Sequence, residues 1–162
     1  MKNFTRVSEP HAGLSKISSA VRATIFGLGC IQGMSHAATI EVNSNLDNGA
    51  DCTLRDAVVS VNEGILQPEC SIISGTLGSA DRITFSSALN ENTVRLTTGL
   101  RITSDVNIDA NGVNNLTIVR ESDGGSIISV GDSKVSLNNL TLKGAASLYY
   151  AGAIFVDDGG GA

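Results

Sequence analysis

The segment DVNIDA, residues 105–110, is the best candidate for chemistry in this chain. In an extended strand alternate side chains share one face, so we expect Asp105, Asn107 and Asp109 to lie together, opposite three apolar residues. Three oxygen-bearing side chains in a row could bind Ca²⁺ or flank a sugar ring. A solvated strand face has the same composition, and it is the interpretation that we favour.

Other kinds of chemistry have less support. The chain has two histidines, His11 and His36, and both fall in a leader that we expect to be removed, so no nucleophile–base pair is predicted. The net charge is −5, with no basic patch after residue 38, which argues against nucleic acid as a partner. We therefore predict no catalysis by this chain itself, no cofactor and no metal.

Residues 1–37 have the features of a secretory signal peptide. A moderately apolar run, ATIFGLGCIQGM, follows a positively charged start, and Ser35 and Ala37 supply small residues at the −3 and −1 positions of a cleavage site. The run is too short to span a bilayer. We predict cleavage after Ala37 and a secreted, cell-surface or outer-membrane location.

Two cysteines, Cys52 and Cys70, remain after removal of the leader. An even count in an exported chain suggests a disulfide, which would close a loop of about 18 residues. A pair of reduced thiols is the alternative.

The segment between these cysteines predicts a short amphipathic helix over 53–63. Thr53 is a suitable N-cap, Asp56 completes a capping box, and Gly64 is a suitable end. We expect Arg55 to make an exposed salt bridge or a backbone hydrogen bond rather than to act in catalysis. One apolar stripe has helical spacing, and it consists of Leu54, Ala57, Val58 and Val61.

After a predicted loop over 65–80, the chain reads as short strands separated by polar or glycine-rich turns. The predicted strands are 81–85, 92–96, 99–103, 105–110, 114–119, 125–130, 134–144 and 152–156. Similar segments return about every 20 residues, among them TVRL, LTIV and VSL, and VNID and IISV. A repeat of this kind favours a solenoid, the parallel β-helix, over a sandwich or barrel.

The fold class predicted is therefore all-β, a parallel β-helix with an N-terminal amphipathic capping helix. The expected organisation is a signal peptide over 1–37, a cap over 38–80 and coils over 81–162. The helix would cover the open end of the first coil. We expect Asn107, Asn111 and Asn138 to stack at turns, and the NLT segments at Asn115 and Asn139 to mark repeated entries into strands.

The helix segment CTLRDAVVSVN resembles the Cys-Ser-Leu-Arg-Glu-Ala-Ile motif that opens many exported bacterial β-helix proteins. DRITF, NNLTIV, SLNNLTLKG and GAIF follow in the order that this family uses, and the likeness covers residues 39–156. In the motif, Thr53, Asp56 and Val58 replace Ser, Glu and Ile, whereas Cys52, Leu54, Arg55 and Ala57 match it. The resemblance implies a right-handed parallel β-helix on a cell-surface or secreted protein, including proteins with polymorphic outer-membrane repeats.

The resemblance leads to two functional hypotheses. In the first, the chain is the N-terminal, truncated part of an exported protein that serves as a structural stalk or adhesin-like surface. Its partners would be glycans or proteins of a host or neighbouring cell, with membrane contact only through a C-terminal anchor that this chain lacks. In the alternative, the chain begins a polysaccharide lyase or glycoside hydrolase of the β-helix type.

Overall fold

The computed structural model describes residues 36–122, 124–144 and 152–157. Most of the predicted signal peptide lies outside these residues. The described chain begins with β1 (Thr39–Val42), α1 (Leu54–Glu63), β2 (Ile72–Ser74), β3 (Asp81–Phe85) and a short 3₁₀ helix (Ser87–Leu89). It continues with β4 (Thr93–Leu96), β5 (Leu100–Ile102), β6 (Val106–Asp109), β7 (Thr117–Arg120), β8 (Ile128–Val130), β9 (Val135–Asn138), β10 (Thr141–Lys143) and β11 (Ile154–Val156).

The strands form three sheets. One sheet has the order β2-β1-β3-β6-β9, and the other two have the orders β10-β7-β4 and β11-β8-β5. Every named strand pair is parallel except β1 with β2. From β3 onward, successive strands join the three sheets in rotation. The described chain is thus β-rich, with sheets of parallel strands and one helix.

Alternation of side chains explains how short strands build a core. In β3, Ile83 and Phe85 are buried, whereas Arg82 is exposed and Thr84 is half-buried. The parallel register places similar residues over one another, so Ile40, Ile83 and Ile108 lie in one row of the five-stranded sheet. Each of these isoleucines is fully buried. Removal of this apolar surface from water is the main stabilising contribution, at about 25 cal/mol per Å².

The repeat is longer than the sequence pattern indicated. Thr93, Thr117 and Thr141 pair in succession, so their spacing is 24 positions, and from β3 onward the other sheets have spacings of up to 29. The expected period of about 20 is therefore wrong. VSL in β9 pairs with VNID in β6, not with LTIV, and ISV in β8 pairs with LRI in β5. The three strands of a repeat have similar compositions, so the sequence alone matched strands of different sheets.

Two element boundaries also differ from the prediction. The segment 65–80, expected as loop, contains β2, which pairs antiparallel with the free edge of β1. The segment 134–144, expected as one strand, is divided into β9 and β10. The division occurs at Asn139, whose φ of 55° is incompatible with an extended strand.

The expected role of the NLT segments is confirmed. Asn115 and Asn139 both adopt the left-handed conformation just before β7 and β10, and Glu91 does so at the equivalent place before β4. Asparagine tolerates this conformation better than most residues. Side chains also bond across the repeat, with Asn138 Nδ2 donating to Asn107 Oδ1 at 2.9 Å and Asn139 donating to Asn111.

The helix lies against β1, β3 and β5. Its predicted apolar stripe faces the core, since Leu54, Ala57, Val58 and Val61 are all buried. Gly64 ends the helix in the left-handed conformation, as the sequence predicted. None of the helices in the described residues is long and apolar enough to cross a membrane.

Candidate functional site

The motif residues 52–58 form the start of α1 and the contact between the helix and the sheets. Thr53 Oγ1 accepts the Asp56 N–H at 3.1 Å, and Asp56 Oδ2 accepts the Thr53 N–H at 3.2 Å. This is the reciprocal capping box that the sequence predicted, and it satisfies two helix-terminal N–H groups. Within the predicted cap region 38–80, we reserve the name cap from here on for residues 43–64, the loop before the helix together with the helix.

The two predicted cysteines are paired. Cys52 and Cys70 have their Cα atoms 4.5 Å apart, with their sulfur atoms at bonding distance, and both residues are buried. The pair joins the start of the helix to the segment that leads into β2. A second tie lies at the other end of the helix, where Ser60 Oγ accepts the Gln67 N–H at 2.9 Å.

Arg55 lies at the centre of a polar network. Its guanidinium donates to both oxygens of Asp47, at 2.8 and 3.2 Å, and to the backbone oxygen of Thr98 at 2.8 Å. Asp47 Oδ2 also accepts the Thr97 N–H at 2.9 Å, as well as the Thr97 hydroxyl. The expectation of a salt bridge or a backbone bond is therefore met in both forms. The expectation of an exposed contact is wrong, because the Asp47 side chain is only 7% exposed.

This environment changes the acidity of Asp47. Burial would raise the pKa of its carboxyl group, but the hydrogen bonds from Arg55 and Thr97 outweigh burial. The pKa therefore lies below its ordinary value of 3.8, and the group is ionised at neutral pH. A charged Asp47 can hold the helix and the β4–β5 turn together through charge-assisted hydrogen bonds.

The cap also satisfies backbone groups at the first edges of two sheets. Beside β5, Asn62 Nδ2 donates to the Arg101 backbone oxygen at 2.8 Å, and Asn62 Oδ1 accepts the Thr103 N–H at 2.9 Å. Beside β4, the Asn45 backbone oxygen accepts the Arg95 N–H at 3.0 Å. In the five-stranded sheet, β2 covers the edge of β1. Polar groups of the cap and one short strand thus replace a missing neighbour strand for each sheet.

Sequence reasoning did not single out Asp47 or Asn62. Asp47 sits in a turn-rich loop, NSNLDNGADC, where an aspartate is ordinary. A weak signal existed for Asn62, because an asparagine inside a helix needs a partner for its amide. Neither position could be linked to Thr97 or Arg101 without the fold.

The second predicted cluster lies on the five-stranded sheet. The outward side chains of β1, β3, β6 and β9 in this sheet are polar, and we call them the polar face. They are Thr39, Glu41, Arg82, Thr84, Asn107, Asp109, Ser136 and Asn138. The predicted candidates Asn107 and Asp109 belong to this face, and Asp105 lies just before β6.

These candidates already have partners within the chain. Asp109 is 4% exposed and bonds the Arg82 guanidinium and the backbone and side chain of Asn111. Asp105 Oδ1 accepts the Lys134 N–H at 2.8 Å. The favoured interpretation of a fully solvated face is therefore wrong for Asp109. Its carboxylate holds neighbouring elements together.

Burial would raise the pKa of Asp109, but the hydrogen bonds from Asn111 and the charge of Arg82 lower it below the ordinary 3.8. An ionised, fully bonded carboxylate is poorly suited to donate a proton to a glycosidic oxygen. Within the described residues, histidine, cysteine, aspartate and glutamate form no group of three that could hold a metal ion.

One depression includes residues of the polar face, and a second lies at the turns that follow β6 and β9. One, of about 250 Å³, is lined by Ala80, Asp105, Asn107 and Lys134 among others. The other, of about 450 Å³, is rich in asparagine amides, which come from Asn111, Asn114, Asn115 and Asn139. Both are open to solvent. The first offers amide and carboxylate groups and the second offers amide groups, and both kinds of group can form hydrogen bonds with sugar hydroxyls.

No family model, curated protein or solved structure matches this chain.

Proposed function

We propose that this chain forms the capped part of a right-handed parallel β-helix that is exported to the cell surface. There it serves as a structural stalk or an adhesin-like binding surface. The observation that carries the proposal is the rotation of strands β3 to β11 among three parallel sheets. One short repeat contributes one strand to each sheet, which is how a solenoid buries apolar side chains that a single coil cannot bury.

The cap supports the same proposal. Solenoids need terminal structures that cover the apolar interior and the unpaired backbone groups of the first coil. Here Leu54 and Val58 cover the interior, and Asn62 bonds the backbone beside β5. The resemblance of the Cys52–Val58 motif to exported β-helix proteins provides the link to the cell surface.

The polar face supports binding rather than catalysis. Its side chains form a continuous set of hydrogen-bonding groups on one sheet, and Asp109, its most buried carboxylate, is already bonded to Arg82 and Asn111. Surface glycans of a neighbouring or host cell are the partners that we propose for this face. A protein partner is the other possibility that the test must address.

Localisation is tested by expressing the full chain in a bacterial host and biotinylating intact cells with a membrane-impermeant reagent. We expect labelled protein in the surface or secreted fraction. Protein that is found only in the cytosol, with its first 37 residues attached, would contradict export.

Binding is tested by applying the exported protein to a glycan array. We expect bound glycans whose signal falls on replacement of Asn107 and Ser136 by alanine. The matched control replaces Thr117 and Thr141, outward residues of a different sheet, and should retain binding. Binding to cells but to no glycan would indicate a protein partner. Sustained release of sugars from a polysaccharide would instead favour the enzyme hypothesis.

A further inference from the structure

Asp81 is a buried carboxylate that neither the cap nor the polar face uses. It begins β3, and its side chain points inward on the same side as Ile83 and Phe85. Both Asp81 and the facing Ala38 have no exposed surface. The two carboxylate oxygens accept backbone N–H groups, from Ala38 at 2.7 Å and from Gly78 at 3.1 Å.

The charge of this carboxylate is only partly compensated. No arginine or lysine of the described residues forms an ion pair with Asp81. Two N–H donors stabilise an ionised carboxylate, but burial of a charge without a counter-charge is costly. A positive charge on the Ala38 nitrogen, which lies 2.7 Å from Oδ1, would compensate the carboxylate.

The backbone nitrogen of Ala38 donates to Asp81. Cleavage after Ala37 would make this nitrogen the N-terminus of the mature chain. Hydrolysis of the Ala37–Ala38 peptide bond consumes one water and leaves a carboxylate on Ala37 and an α-amino group on Ala38. At neutral pH that group is largely an ammonium, with three donors and a positive charge.

We propose that removal of the leader completes the fold by forming a buried ion pair between the new α-ammonium of Ala38 and the carboxylate of Asp81. The inference rests on the proposed export and on its cleavage site. It goes beyond them in assigning a role to the mature N-terminus. The leader peptide bond supplies only a neutral N–H at this position, and processing replaces that N–H with a charged donor.

The rest of the structure is compatible with loss of the leader. Every buried residue of the described chain lies at Ala38 or later. Cleavage removes the parallel bridge between Ala37 and Thr76, including the hydrogen bond from Thr76 N–H to the His36 oxygen, and Thr76 is exposed so that water can reach its backbone. Ala38 stays attached to β3, because its own carbonyl oxygen accepts the Arg82 N–H at 2.8 Å.

The other charged groups nearby are few. Glu41 lies on β1, and Arg82 on β3 is paired with Asp109 of β6. Asp105 lies before β6, and β2 carries no titratable side chain. His36 leaves with the leader.

The ion pair between Ala38 and Asp81 determines how stability should change with pH. An α-amino group has an ordinary pKa of about 8, and an adjacent carboxylate raises it in the folded state. The added stability is fully present below about pH 8 and is lost as the pH rises through the folded value.

The test compares the full chain, the chain that begins at Ala38, and the same shortened chain with an acetylated α-amino group. We expect the free-amine form to unfold at a higher denaturant concentration than the acetylated form at pH 7. The difference should disappear at high pH. If the ion pair outweighs burial of the amine, an NMR titration of the Ala38 nitrogen should give a pKa above the ordinary value of about 8.

Two variants separate the ion pair from general effects of acetylation. In Asp81→Asn the penalty of acetylation should vanish, whereas in Glu41→Gln, which changes another carboxylate near the start of the chain, it should remain. If Asp81→Asn does not fold, the comparison of free and acetylated parent chains still decides the question. Equal unfolding midpoints for those two forms at pH 7, or an ordinary pKa for Ala38, would overturn the proposal.

Failure of this proposal can be distinguished from failure of the proposed function. Mass spectrometry of the exported protein reports whether the native chain begins at Ala38. A different start would refute the processing site, while the unfolding and NMR measurements still report on the ion pair in the shortened chain. A native start at Ala38 with no effect of acetylation would leave export standing and refute the ion pair.

Discussion

The cap and the polar face use the same residue types for different purposes. In the cap, Asp47 and Asn62 bond backbone groups of the β4–β5 turn and of β5. On the polar face, Arg82 bonds Asp109 and Asn138 bonds Asn107, so side chains satisfy one another. A side chain that replaces a missing strand has one allowed geometry, whereas a side-chain pair on a sheet surface can be exchanged for another pair or for water. Substitutions in the cap should therefore cost more than substitutions on outward sheet positions.

The largest effect is expected from Val58→Asp. Val58 is 3% exposed and lies in the stripe that packs on the sheets, so the new carboxylate would be buried without a partner. Such burial costs several kcal/mol, comparable with the stability of a small domain. Val59→Asp, one position along on the half-buried side of the helix, is the matched control. Equal denaturation midpoints for the two variants would show that the helix does not cover the core.

Loss of the disulfide should have the next largest effect. Replacement of Cys52 and Cys70 by alanine removes a link that closes a loop of 18 residues, and we expect destabilisation by about 3 kcal/mol. Reducing agent should lower the unfolding midpoint of the parent chain but not that of the double variant. Alkylation of the unfolded, unreduced full chain should modify Cys30 alone. Modification of all three cysteines would contradict the pairing.

Asp47→Asn tests the contribution of the cap through the pH dependence of stability. At pH 7 we expect a loss of about 1–3 kcal/mol, because Arg55 and Thr97 lose a charged acceptor. The folded pKa of Asp47 lies below 3.8, so its contribution is present above that value and is lost as the pH falls through the lower folded pKa. The variant should accordingly lose less stability than the parent between pH 5 and strongly acidic pH. Asp51→Asn, at an exposed position of the same loop, is the matched control, and we expect it to cost less stability at pH 7 than Asp47→Asn.

The smallest losses of stability are expected when two arginines are replaced by alanine. Arg55→Ala leaves the buried Asp47 carboxylate without its counter-charge, and we expect a cost of about 1–2 kcal/mol. Arg95→Ala breaks a pair with Glu121 in which both side chains are about half exposed, and it should cost less than about 1 kcal/mol. Thermal unfolding of the two variants checks the order. A larger cost for Arg95→Ala would mean that the cap is not the more sensitive region.

The local elements were largely predictable. Thr53, Asp56 and Gly64 act within one or two turns of chain, so their types and spacing were enough to place both ends of the helix. The alternation in DRITF predicted β3 at its observed bounds. The same alternation places Asp81 on the inward side with Ile83 and Phe85.

The pairing of distant segments was not predictable in the same way. The sequence suggested a repeat but gave its period as too short, because the strands of all three sheets are alike in composition and the turns vary in length. β2 was missed because three residues, two of them exposed, carry too weak a pattern, and its strand character comes from its hydrogen bonds to β1.

The sequence by itself determined the helix with its caps, most of the strands, and the left-handed turns at Asn115 and Asn139. These depend on backbone preferences and on neighbours within a few positions. Only the tertiary structure decided that Asp47 meets Arg55 and Thr97, that Asn62 bonds the backbone beside β5, and that Asp81 faces the nitrogen of Ala38. Asp81 and Ala38 are 43 positions apart and Asp47 and Thr97 are 50 apart, whereas Asp47 and Arg55 are 8 apart across a loop and a helix start. The separation of Asn62 and Thr103 is 41 positions. Such contacts form only when pairing of the parallel strands brings segments that are distant in sequence next to one another. The local preferences of single residues do not determine that pairing.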